Sequence, residues 1–144
     1  MTPTLKRFPL STGITLAGDY YEPLSPEGTD QSAPAPLVLF LHGGGQTRHA
    51  WGGAAARLAE AGFPTLTVDH RGHGDSSWAE DGDYLFPRFA DDLDALLPLL
   101  GQKPVIVGAS LGGLSAMAVR HATPQRSRPA SCWWTSRRAS SARA

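Results

Sequence analysis

Ser110 stands in Gly108-Ala109-Ser110-Leu111-Gly112, with a glycine two residues away on each side. A serine in a G-x-S-x-G run, between an apolar strand and a helix, has the setting of an activated nucleophile. Such a turn is strained, its glycines let neighbouring backbone pass close by, and the helix N-terminus favours developing negative charge. A plain Gly-Ser turn between strand and helix has the same letters, so the pattern needs its context. A second run, His42-Gly43-Gly44-Gly45, follows another apolar stretch. Glycine there keeps side chains away, so backbone N–H groups can face an oxyanion. With the N–H of Leu111 this would make a two-donor hole. The bland alternative is a glycine-rich connection, with His42 packing and bonding the loop rather than serving as a base. The third run is Asp69-His70-Arg71-Gly72-His73-Gly74-Asp75-Ser76. Two histidines and two carboxylates invite a metal. The glycine spacing fits a tight turn better, with Asp and Ser bonding backbone. No metal and no cofactor are expected.

The elements that must position these runs follow from periodicity. Residues 5–10 and 14–21 predict two strands joined by a Ser-Thr-Gly turn. Residues 23–36, rich in Pro, Ser, Gly and acids, predict a surface loop. Residues 36–42 (P-L-V-L-F-L-H) form a continuous apolar run, as in a parallel strand buried on both faces. Trp51, Ala54, Ala55, Leu58 and Ala61 share helical spacing over 49–61, with Gly62 as the stop. Residues 63–69 are the next strand. Over 87–100, Phe89, Leu93, Leu96, Leu97 and Leu100 form one helical face, and Asp91, Asp92 and Asp94 lie mostly off it. A buried strand at 104–108 and a helix from Leu111 to about Ala122 complete the order β-β-β-α-β-α-β-α. Alternation of this kind implies an α/β layered sheet with right-handed crossovers.

Composition sets the outer bounds. The chain has 144 residues, with 41% hydrophobic content, 16 Gly and 12 Pro, enough for one turn-rich domain with a core. No apolar stretch reaches the roughly 18 residues of a membrane span, and the N-terminus lacks the apolar run of a signal peptide. Cys132 is the one cysteine, so no internal disulfide can form. These features predict a cytoplasmic protein with no membrane partner. The zero net charge hides an asymmetry. Residues 1–121 hold 8 basic and 13 acidic residues, whereas residues 122–144 hold five Arg and no acid.

In this order and spacing, L-H-G-G-G-Q-T-R-H-A-W, D-H-R-G-H-G-D-S and V-G-A-S-L-G-G resemble the α/β-hydrolase superfamily. The closest flavour is its serine esterases and the metal-free, haloperoxidase-like group. The resemblance covers residues 5–122, and it is specific to the superfamily rather than to a substrate. It implies the N-terminal portion of a mostly parallel sheet flanked by helices, with later strands, lid and C-terminal part missing. It implies Ser110 as nucleophile and the N–H groups of Gly44 and Leu111 as oxyanion hole. Gly43 and Gly45 are then the loop glycines, and Gly108 and Gly112 the elbow glycines. It also implies an acid and a histidine from loops after later strands, and the sequence departs from the family there.

Four of the five histidines precede Ser110, against the family order of Ser, acid, His. His121 is eleven residues on in the same helix, about 16 Å of rise away, beyond hydrogen-bonding reach. His42, His49, His70 and His73 flank strand ends without the expected position. Residues 123–144 show neither helical nor strand period, and taken alone suggest a disordered basic tail. Their codons suggest more. Cys132-Trp133-Trp134-Thr135 must be written TGY TGG TGG ACN. Read from the third base of Cys132, this gives Leu-Val-Asp. With TCN serine codons, apolar residues flank it on both sides. The shifted frame therefore reads as a buried parallel strand ending in an acid. A frameshift between about Ala122 and Ser131 is expected, dividing the chain into a 1–122 hydrolase portion and a 123–144 foreign tail.

Strand 104–108 then has an unpaired apolar edge, an aggregation hazard and a route to self-association. The expected function is acyl transfer on a small ester or related acyl compound, impaired in the chain as written. A non-catalytic pseudo-enzyme or assembly partner is the alternative. Binding of nucleic acid or anionic lipid by the basic tail ranks below both, so no nucleic-acid partner is expected.

Overall fold

The computed structural model describes residues 1–24, 35–122 and 133–134. The chain runs β1 (Thr4–Pro9), β2 (Thr15–Tyr21), β3 (Val38–Leu41), a 3-10 turn (Arg48–Trp51), α1 (Gly52–Glu60) and β4 (Thr65–Val68). It continues through α2 (Phe86–Leu96), a second 3-10 turn (Leu97–Leu100), β5 (Val105–Gly108), α3 (Leu111–Ala122) and β6 (Trp133–Trp134). The helix expected over 87–100 breaks after Leu96. Pro98 has no N–H for the α-helical ladder, so the last turn tightens and ends on Gly101 at φ 68°. Most of the loop expected over 23–36 lies outside the described residues.

The sheet order is β1-β2-β4-β3-β5-β6. The strands from β3 to β6 are parallel, while β1 and β2 form an antiparallel edge that joins β4. Alternation along the central strand divides the core. Leu37, Leu39 and Leu41 pack with Leu93 and Leu96 of α2 and Ala116 and Val119 of α3. Val38 and Phe40 face the other way, onto Ala55 and Ala59 of α1 and the partly buried Trp51. All four residues of β3, an unbroken apolar run, are buried, and so are all four of β4, where Thr65 and Thr67 alternate with Leu66 and Val68.

The expected unpaired edge of β5 needs correction. β6 pairs with it in parallel, Val107 with Trp133 and Gly108 with Trp134. Val105 and Ile106 have no strand partner on that side among the described residues. No helix among the described residues is long and apolar enough to cross a membrane.

Strand order also locates a crevice. β3 lies between β4 and β5, and the chain leaves β3 through α1 on one face and β5 through α3 on the other. Loops diverging from the C-terminal ends of neighbouring parallel strands leave a cleft, the usual ligand position in open α/β sheets. The runs His42–Gly45 and Gly108–Gly112 are those two loops.

Candidate active site

Ser110 occupies the turn from β5 into α3, and its side chain is exposed. Among the described non-glycine residues it alone has positive φ, at 45°. The flanking glycines explain how so sharp a turn packs. A Cβ on Gly108 would lie 2.6 Å from the Gly113 nitrogen, and one on Gly112 would lie 2.5 Å from the Leu41 oxygen. No side chain fits at either place, so helix and strands cross at backbone contact. Two hydrogen bonds fix the crossing: Ala109 N–H donates to Leu41 O at 3.1 Å and Gly112 N–H to His42 O at 3.2 Å. The glycine loop lies against the serine, since a Cβ on Gly43 would sit 3.6 Å from Ser110 Cβ.

The three glycine amides of that loop differ. Gly43 N–H donates to Gln46 Oε1 at 3.0 Å. Gly45 N–H donates to His73 Nε2 at 3.3 Å. Gly44 N–H and Leu111 N–H find no acceptor among the described residues. Space beside Gly44 is open, with no atom within 4 Å of a Cβ built there.

The histidines cluster under this loop, with ring centroids 4.6 Å apart for His42 and His70 and 5.0 Å for His42 and His73. His42 Nδ1–H donates to Gly43 O at 2.7 Å, while its Nε2 accepts the His70 backbone N–H at 3.1 Å. His70 Nε2–H donates to His42 O at 3.1 Å. The acceptor role of His42 Nε2 needs a neutral ring. Burial lowers the pKa of His42, and burial together with the nearby His42 pushes His70 down to about 3. His42 therefore holds the loop, as its place in the sequence suggests. His49 is exposed and lies 3.5 Å from Asp19.

Two buried arginines anchor the surroundings. Arg48 meets Asp69, Asp19 at 3.0 Å and Asp75 at 2.7 Å. Burial opposes its charge, but the surrounding carboxylates of Asp69, Asp19 and Asp75 outweigh that and raise its pKa. Asp69 also accepts the Arg48 and Asp75 backbone N–H groups, and Ser76 Oγ accepts that of Ala17. The 69–76 run thus bonds backbone, as its turn chemistry predicts. Arg71 forms a two-pronged pair with Asp92, at 2.6 and 2.7 Å. Hydrogen bonding to Asp92, which outweighs burial, raises the Arg71 pKa. Asp92 is buried, which corrects its expected place with Asp91 and Asp94 off the packed face.

The structure brings together Ser110, Leu111, Gly43 and Gln46 at the cleft and leaves His121 near the far end of α3. Sequence reasoning missed Gln46, Arg48 and Asp92. The only signal for Gln46 is its position directly after the glycine run.

Residues 36–127 match the family described as alpha/beta hydrolase fold. The chain is 43% identical over 91 residues to an esterase of Mycobacterium tuberculosis, covering 62% of this chain and 30% of that one. It is 39% identical over 89 residues to a non-heme chloroperoxidase of Kitasatospora aureofaciens, covering 60% of this chain and 32% of that one. A solved hydrolase from Pseudomonas aeruginosa superposes with a TM-score of 0.68 at 30% identity, over 85% of this chain and 43% of that one. The chain thus spans about a third of the length of the curated relatives it matches. The match covers both glycine runs and the elbow, and the chain belongs to the α/β-hydrolase fold family.

Proposed function

We propose that this chain carries the nucleophile and oxyanion loop of a serine hydrolase acting on a small ester or related acyl compound. The observation that carries this is the backbone of Ser110, exposed at φ 45° between two glycines that admit no side chain. Strain of this kind at an exposed nucleophile is a functional signature. Ser110 Oγ attacks the acyl carbonyl, the N–H groups of Gly44 and Leu111 receive the oxyanion, and the tetrahedral adduct collapses with loss of the protonated leaving group to an acyl-enzyme on Ser110. Water then releases the acid. A base must take the Ser110 proton; both ring nitrogens of His42 are engaged, and burial pushes His70 down to about 3, too weak a base for the task. His121 stands about 16 Å along α3. The residues after His121 contain no acid and no histidine. We therefore take the chain by itself to be impaired, retaining at most the roughly 10³–10⁴-fold that a hole and binding supply. Residues 123–144 are read as foreign to the domain, and most lie outside the described residues. The lone Cys132 suits a cytoplasmic setting.

The engaged histidines favour a second reading, a non-catalytic module on the same fold. A fluorophosphonate probe separates the two. Slow labelling of folded protein, abolished by Ser110→Ala, is the expected result. Folded protein that takes up no probe favours the non-catalytic module.

A further inference from the structure

We propose that His73 and Gln46 are positioning residues that select Gly44 as the oxyanion donor of the glycine loop, an assignment resting on the acyl-transfer reading above. Three successive amides could face the cleft. Gln46 Oε1 takes the Gly43 N–H and His73 Nε2 takes the Gly45 N–H, at 3.0 and 3.3 Å. The Gly44 N–H is left without an acceptor among the described residues, beside open space. His73 is itself held. Its Nδ1–H donates to Arg71 O at 2.9 Å, and its ring lies 6.4 Å from that of Phe89. Arg71 is clamped on Asp92 of α2. A chain of contacts therefore runs from α2 through Arg71 and His73 to Gly45, and it sets the loop by rigid packing rather than by touching substrate.

The test uses the full chain, with amide exchange followed at Gly43, Gly44 and Gly45 by NMR and fluorophosphonate inactivation followed in parallel. His73→Phe keeps a ring and removes the acceptor, and His73→Gln keeps an acceptor. Gln46→Leu, at an exposed position, is the second variant and spares the packed cluster. The expected result is protection at Gly45 that is lost in His73→Phe and retained in His73→Gln. Gln46→Leu loses protection at Gly43. The inactivation rate constant of His73→Phe falls about 10- to 100-fold, as for a misplaced catalytic group, with reagent affinity unchanged and His73→Gln close to the parent. An unprotected Gly45 in the parent, unchanged protection in His73→Phe, or inactivation of His73→Phe at the parental rate each overturns the assignment. A parent that never labels defeats the acyl-transfer reading. The exchange pattern then decides separately whether His73 holds the loop.

Discussion

Ser110 holds a backbone conformation that disfavours any residue with a Cβ, at φ 45°. The left-handed region costs such a residue about 1–2 kcal/mol, and glycine adopts it freely. Ser110→Gly should therefore raise stability by about 1 kcal/mol and abolish labelling. Ser110→Ala keeps the Cβ and should abolish labelling without the gain. Urea unfolding of both variants checks this, and equal midpoints would place the strain elsewhere. The elbow was legible in the sequence because its glycines encode close approach within five residues. Gln46 and His73 were not legible as partners of Gly43 and Gly45. Their contacts depend on the shape of two loops 28 residues apart in sequence for Gly45 and His73, and no local pattern records that shape.

At the scale of elements, the connection from β4 to α2 is fixed by charge and by neutral histidine. The Arg71–Asp92 pair has side chains only 5% and 4% exposed. Removing one partner of such a pair leaves an uncompensated buried charge, so Asp92→Ala should cost about 3 kcal/mol. Arg88→Ala breaks two surface pairs, to Asp83 and Asp91, and should change the urea midpoint little. An equal loss in both variants would refute the distinction. Periodicity could not find Asp92, because one buried carboxylate looks the same in sequence as its exposed neighbours Asp91 and Asp94. His42 and His70 add a pH dependence. Their folded pKa values lie below the ordinary value of 6.5, so the stability they allow is fully present above that pH. It is lost progressively as pH falls below 6.5 toward the folded value of about 3 for His70. The urea midpoint should decline over that window. His70→Gln keeps a donor for His42 O without titrating, and it should flatten the decline. An unchanged slope would assign the acid sensitivity to carboxylates instead.

The whole molecule turns on the edge of β5. The order and alternation of strands and helices through Ala122 were legible because each element carries its own apolar period. The neighbour of β5 was not, because Trp133 and Trp134 follow a stretch with no period at all. Their backbone nevertheless pairs in parallel with Val107 and Gly108. In the shifted frame, Leu-Val falls on those two positions to within one residue, and the following Asp falls beside the end of β5. An apolar run closing on an acid is a better parallel strand than the residues written there, and it would extend pairing toward Val105 and Ile106. The composition break agrees, since acidic residues stop at Asp94 and five Arg follow residue 121. Sequencing the coding DNA from codon 115 onward tests the frame directly. The expected outcome is a one-base shift near codons 122–131 that opens a frame running on from Leu-Val-Asp and later encoding an acid and a histidine. Such a frame would give Ser110 its base and make the corrected product the protein whose activity should be measured. Confirmation of the present frame, with nothing coherent in the others, would make the Arg-rich segment native. The non-catalytic module would then be the better account of this fold.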